Sequence, residues 1–212
     1  GWFVGKDISA IWDHEFIGIW QEDEAEEAAK YGQQPGDAKV RDVNGDYKIT
    51  QEDKVFLGQE TPKFRWSFRN EFTLFRNWDI SLNLYSQMGH KQSTTEYLNF
   101  FDNLGDYSNT YKREYWTPEN KSNSYARLKS TRPSNINPKK VINKGFIRLE
   151  NISVSYRVPQ QFARKLMAKE ISIYGTVRNV AVWAFDKEWD YWDPETKGLL
   201  PRTFTFGASI TF

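Results

Sequence analysis

The residues best suited to chemistry run from Asp42 to Asp53, in the order Asp-Val-Asn-Gly-Asp-Tyr-Lys-Ile-Thr-Gln-Glu-Asp. Oxygen side chains at loop positions 1, 3 and 5, an aliphatic residue at 8 and a carboxylate at 12 match the spacing of EF-hand-like calcium loops. In such loops a hard cation gathers six to eight oxygens. Asp42, Asn44 and Asp46 would give side-chain oxygens, Lys48 its backbone carbonyl, and Asp53 the closing carboxylate. Tyr47 stands where the EF-hand carries Gly for its sharp turn, and Asp53 replaces the longer Glu, as in dockerin-type loops. The same residues also fit an Asx-rich turn held by its own side-chain hydrogen bonds with no ion.

Elsewhere the sequence excludes more chemistry than it offers. With two His, no Cys and no nucleophile beside a base, it has no disulfide, thiolate metal site or catalytic constellation, and it reads as a non-enzyme. His14, alone in an apolar run, reads as a polar wall residue rather than a ligand. The 29 basic and 28 acidic residues leave a net charge of +1, so nothing draws nucleic acid electrostatically. Aromatics make up 17% of the chain while the mean hydropathy is only -0.75. Apolar surface is therefore concentrated in a few large side chains, as in barrel girdles and sugar-stacking surfaces. The aromatic stretch from Tyr97 to Trp116 would stack on sugar rings or pack its loop against itself. No apolar run is long enough for a transmembrane helix, which leaves a transmembrane barrel open. The start at Gly1-Trp2-Phe3 shows no signal peptide, so a trimmed chain or a piece of a longer one is expected.

The elements that would position such residues are strands. From Phe204 to Phe212 every second residue is apolar and the residues between are Thr, Gly or Ser. A soluble sheet normally exposes Lys, Glu and Arg on its polar face, whereas small uncharged groups suit a wet lumen and outward aromatics suit lipid. Phe64 to Phe75 and Trp78 to His90 alternate likewise and form a hairpin. Its period of two places Arg65, Arg69, Glu71, Asp79, Asn83 and Tyr85 on one polar face, with Trp66, Phe68, Ile80 and Leu82 on the other. Gly145 to Val158 is a further strand whose phase is disturbed near Glu150-Asn151, and Ile171 to Phe185 follows after a short helical turn over 160–169. Ile8 to Gln21 reads as a strand, Glu22 to Ala29 as an acidic helix and Gln34 to Asp37 as a turn. Residues 91–145 carry no periodicity, and Trp183, Phe185, Trp189, Tyr191 and Trp192 crowd the far end as mouth aromatics. The result is an all-β, antiparallel transmembrane barrel segment of about six strands, with loops over 22–63, 91–145 and 186–200 on one side and the terminal strand over 202–212.

These stretches together resemble the C-terminal part of a SusC-like TonB-dependent transporter of the Bacteroidetes outer membrane. The resemblance is carried by Gly18-Ile19-Trp20-Gln21, Lys30 to Gly36, the Asp42 to Asp53 loop with Leu57-Gly58, Trp78 to Leu82, Tyr115 to Asn120, Phe146 to Leu149, Ser155-Tyr156, Arg178-Asn179, Asp193-Pro194-Glu195 and Arg202 to Phe212. It covers essentially the whole chain. It implies a barrel of the twenty-two-stranded transporter class, with a plug, TonB box and signal peptide upstream of Gly1 and Phe212 read by the barrel-insertion machinery. It also implies import of oligosaccharides or peptides with a SusD-like surface lipoprotein, with outer-membrane lipid around the barrel. The alternative is a soluble, calcium-stabilised β-domain that binds glycans through its aromatics. The two differ in whether Phe64, Trp66, Phe68, Ile80, Leu82 and Leu84 lie under another protein layer or are exposed.

Overall fold

The computed structural model describes residues 2–94, 114–190 and 192–212. They form two compact units, one of Gly1–Thr61 with Lys91–Ile142 and one of Pro62–His90 with Asn143–Phe212.

The first unit is built from short strand pairs. The run expected as one strand from Ile8 to Gln21 breaks at Glu15 into β1 (Ala10–His14) and β2 (Phe16–Ile19). β2 pairs with β3 (Ala38–Val40), and β1 pairs with β4 (Lys54–Gln59). The run therefore contributes nothing to the large sheet, which lowers the expected six strands to five. The reason lies in its pattern: Ile17, Ile19 and Trp20 do not alternate cleanly, so neither face is uniformly apolar. His14 is buried, and its Nε2 lies 2.6 Å from the carbonyl oxygen of Thr50. The acidic stretch forms a 3-10 turn over Glu22–Glu24 and then α1 (Ala25–Lys30), as its Ala and Glu content favours.

The expected structureless connection over 91–145 is corrected at both ends. β7 (Lys91–Thr94) pairs with β8 (Lys140–Asn143). Trp116 and Ala126 form a buried cluster with Ile19 and Ala38. Asp37, fully buried in the Gln-Pro-Gly-Asp turn, accepts hydrogen bonds from Arg127 Nε and the Thr131 amide, both at 2.8 Å. Gly36 must be glycine: its φ is 88°, and the Trp116 ring and Arg127 side chain occupy the space a Cβ would take. Most of the aromatic stretch from Tyr97 lies outside the described residues. Trp116, which is described, packs inward and donates from Nε1 to Gln21 Oε1 at 3.0 Å.

The second unit is one antiparallel sheet in the order β11-β10-β9-β6-β5. Its strands are β5 (Phe64–Leu74), β6 (Trp78–Met88), β9 (Phe146–Arg157), β10 (Glu170–Ala184) and β11 (Thr203–Thr211). β5 and β6 meet without a slip from Phe64↔Met88 to Leu74↔Trp78. Their tight loop needs Phe75 and Arg76 in the left-handed region, at φ 51° and 68°. Between β9 and β10, α2 (Gln160–Lys165) makes the expected helical turn. Glu150 is an extra residue against β6 and faces the pair Asn179-Val180 in β10, so the disturbed phase is a bulge.

Candidate functional site

The register sorts the sheet into two unlike faces, because side chains alternate along each strand and cross-strand partners share a side. On one face Phe64, Phe68, Phe72 and Leu74 align with Met88, Leu84, Ile80 and Trp78. Ile80 and Leu82 then align with Val154 and Ile152, and these with Gly175 and Val177, which meet Phe206 and Phe204. The apolar face thus runs through all five strands, interrupted by Asn70 and Ser86. Phe64, Phe68, Phe206 and Ile210 are 59%, 52%, 80% and 53% exposed, so no second layer among the described residues covers them.

The opposite face carries Arg65, Arg69, Glu71, Asp79, Asn83 and Tyr85, as the alternation requires, joined by Ser153, Ser155, Thr176, Thr203 and Thr205. Tyr174 also lies there, and its ring sits over Gly207, where any Cβ would collide with it. Two recesses mark this face. One, of about 410 Å³, is lined by Arg65, Ser67, Asn83, Tyr85, Gln87 and Glu150 among others. The second, of about 510 Å³, includes Glu71, Thr73, Asp79, Ser81, Ser153 and Ser155. In the latter Asp79 receives a bidentate guanidinium from Arg157, at 2.8 to 3.1 Å, and a hydroxyl from Thr73 at 2.8 Å.

Arg148 organises the other end. It is only 2% exposed, and its Nη2 donates to Asp193 Oδ2 at 2.6 Å and lies 3.4 Å from Glu195 Oε2. Glu195 accepts from the Tyr85 hydroxyl at 2.5 Å and from Gln87 Nε2 at 3.0 Å. The loop after β10 is therefore held onto the polar face by a charged knot. Burial favours the neutral acid of Asp193, but the Thr196 amide and the Arg148 guanidinium outweigh it and hold the carboxyl below the usual range. Trp189 secures the same loop, donating from Nε1 to the Asn143 carbonyl at 2.7 Å. Of the expected mouth aromatics Trp189 is buried, whereas Trp183, Phe185 and Trp192 are exposed and Tyr191 lies outside the described residues. Sequence reasoning missed the knot. Its charged members stood in two of the quoted signatures, Phe146 to Leu149 and Asp193-Pro194-Glu195, with nothing in the sequence to pair them.

In the first unit the Asp42 to Asp53 loop is closed by its own side chains. Asp42 accepts from the amides of Gly45 at 2.7 Å and Tyr47 at 2.9 Å, Asn44 from Asp46 at 3.1 Å, and Asp46 from Lys48 at 2.8 Å. Asp53, fully buried, accepts from Val43 at 2.9 Å and Thr50 at 2.7 Å. Burial raises the Asp53 pKa, yet those amide bonds outweigh it and leave the carboxyl below its ordinary value. The Tyr31 hydroxyl, 3.2 Å from Asp42 Oδ2, is pushed up to about 12 by burial and by that carboxylate. Tyr47 takes the left-handed conformation, φ 62°, that the sixth position of a calcium loop demands. Among the described residues no group of three or more His, Cys, Asp or Glu side chains is disposed to hold a metal.

Comparison with known proteins agrees with this two-faced sheet. No protein-family model matches the chain. It is 25% identical over 229 residues to TonB-dependent receptor P26 of Formosa agariphila, covering 99% of the chain and 23% of that protein. TonB-dependent receptor P3 of the same organism is 23% identical over 227 residues, with 98% and 22% covered. The chain thus spans about a quarter of the length of these curated relatives. The structure of the RagAB peptide transporter superposes with a TM-score of 0.64 at 15% identity, over 96% of this chain and 23% of that one. The RagAB peptide importer in its open-open state gives 0.63, also at 15% identity, over 100% and 25%. These two likenesses speak for the fold. The relatives are named as receptors and the structural neighbour as a transporter, none of them an enzyme, and this chain is similar to the TonB-dependent receptors over nearly its whole length.

Proposed function

We propose that the chain forms part of the barrel wall and mouth of an outer-membrane, TonB-dependent importer of oligosaccharides or peptides. It works with a SusD-like surface lipoprotein and is energised by TonB through another part of the parent protein. The observation that carries this reading is the uncovered apolar face of a five-stranded antiparallel sheet whose other face is polar. Strand length supports it. The 11 residues of β5 or β6 span about 34 Å, which a tilt of about 45° projects onto roughly 24 Å, close to the apolar band of an outer-membrane barrel. Relatives named as TonB-dependent receptors supply the energy coupling in this proposal, and the peptide class is the one named for RagAB. Cells carrying the full-length protein are expected to accumulate a fluorescent oligosaccharide or peptide only while TonB is present. Uptake of both substrate classes that is unchanged on deletion of the gene would overturn the assignment.

The reading extends to the Asp42 to Asp53 loop as a calcium staple. Asp42, Asn44, Asp46, the Lys48 carbonyl and Asp53 would hold the ion, and the support is the left-handed Tyr47 within a loop rich in carboxylates. Calcium would relieve repulsion among Asp42, Asp46 and Asp53 at an affinity of roughly 0.1 to 1 mM. Proteolytic nicking within 42–53 is expected to slow in millimolar calcium for the native sequence but not for the Asp42→Ala, Asp46→Ala variant. Equal nicking rates with and without calcium would leave a plain Asx turn.

A further inference from the structure

The turn between β9 and β10 does more than reverse the chain. Ala163 and Ala168, 0% and 3% exposed, pack with Ile171 and Val158. Val158 continues the phase of Tyr156 and Val154, and Ile171 that of Ile173, so both lie on the apolar face. Helix α2 therefore folds against the apolar side of the sheet, at its end. Its outer side exposes Phe162, Leu166 and Met167, at 50%, 65% and 87%. Met167 also takes a φ of 55°, an uncommon conformation for a large side chain.

Charge accompanies this exposed apolar edge. Arg164, Lys165 and Lys169 are all exposed, with Glu170 the adjoining acid. Lys165 Nζ lies 5.6 Å from the centre of the Phe162 ring, so a positive charge sits beside the exposed apolar side chain. On the apolar face at this end the Trp78 and Tyr156 rings meet at a tilt, centroids 4.7 Å apart, as aromatics gather at a membrane interface. The Lys169 amide donates to the Thr211 carbonyl at 2.7 Å, which fixes α2 at the end where β11 finishes.

We propose that α2 and the residues through Lys169 are an interfacial anchor that binds anionic phospholipid headgroups in the bilayer leaflet at this end. The proposal rests on the barrel reading above; the short connections after β5 and β9 lie at this end, as the short turns of outer-membrane barrels lie on the periplasmic side. Two things commit it to that occupant. The exposed Phe162 and Leu166 continue a face already assigned to lipid, and the three cations beside them complement a headgroup phosphate.

The test uses the full-length transporter reconstituted in vesicles of phosphatidylcholine alone or mixed with phosphatidylglycerol. Phosphatidylglycerol carried through detergent release is counted by native mass spectrometry. Retention is expected to fall about fivefold for each cation removed in the series Arg164→Gln, Lys165→Gln and Lys169→Gln. Unchanged retention in the triple variant would overturn the anchor. Spin labels on Met167→Cys and Phe206→Cys separate this from failure of the barrel itself. A label at 167 open to an aqueous quencher, with the label at 206 shielded by lipid, removes the anchor and leaves the barrel. Exposure of the label at 206 to the quencher overturns both.

Discussion

Asp193→Ala is expected to release the loop after β10 and to destabilise its attachment by about 3 to 5 kcal/mol, the cost of leaving a buried guanidinium without its partner. Arg148 is 2% exposed and cannot recover the lost bond from water. Glu195, at 3.4 Å, offers a substitute, but it already accepts from Tyr85 and Gln87. Asp193 also accepts from the amides of Glu195 and Thr196, at 2.9 and 3.0 Å, so the variant loses the local turn together with the ion pair. Hydrogen exchange over 186–200 in the full-length protein is the measurement, and protection there should collapse while that of β5 and β6 stays. The pH dependence follows from the depressed pKa of Asp193. Its contribution is fully present above the ordinary aspartate value of 3.8 and is lost as the pH falls through the lower folded-state value. Exchange that is uniform across the variant and the native protein would show that the knot does not hold the loop.

Phe206→Arg is expected to reduce assembled protein in the outer membrane severely, whereas Thr205→Arg leaves it nearly unchanged. Phe206 is 80% exposed on the apolar face and pairs with Gly175, where an added Cβ would come within 3.3 Å of the ring. An arginine on the lipid face near the bilayer midplane costs about 2 to 4 kcal/mol. Thr205, one residue away, points to the polar side opposite Thr176. The heat-resistant folded band on a gel of isolated membranes reports the difference. Equal loss at the two positions would mean that the two faces do not see different solvents.

Where side chains alternate strictly, the sequence alone placed the residues. Phe64 to Leu74 and Trp78 to Met88 face as their period of two dictates, and Thr203 to Thr211 does the same, because a strand has no other way to separate apolar from polar groups. The bulge was legible as a break in that period at Glu150, and the helical turn as the residues following Pro159. Ile8 to Gln21 misled because β-branched and aromatic content favours a strand without naming its partner. Its two halves pair with separate short segments instead.

What only the tertiary structure decided is long-range pairing. Arg148 and Asp193 stand 45 residues apart, and no local pattern announces that one neutralises the other. Asp37 and Thr131 are likewise 94 residues apart, so the polar run after Trp116 gave no periodic sign that it closes over the Gln-Pro-Gly-Asp turn. Periodicity records which side of its own strand a residue takes, since that is fixed by backbone geometry. A buried charge finds its partner through the folded chain, because the cost of leaving it unpaired appears only once water has been excluded.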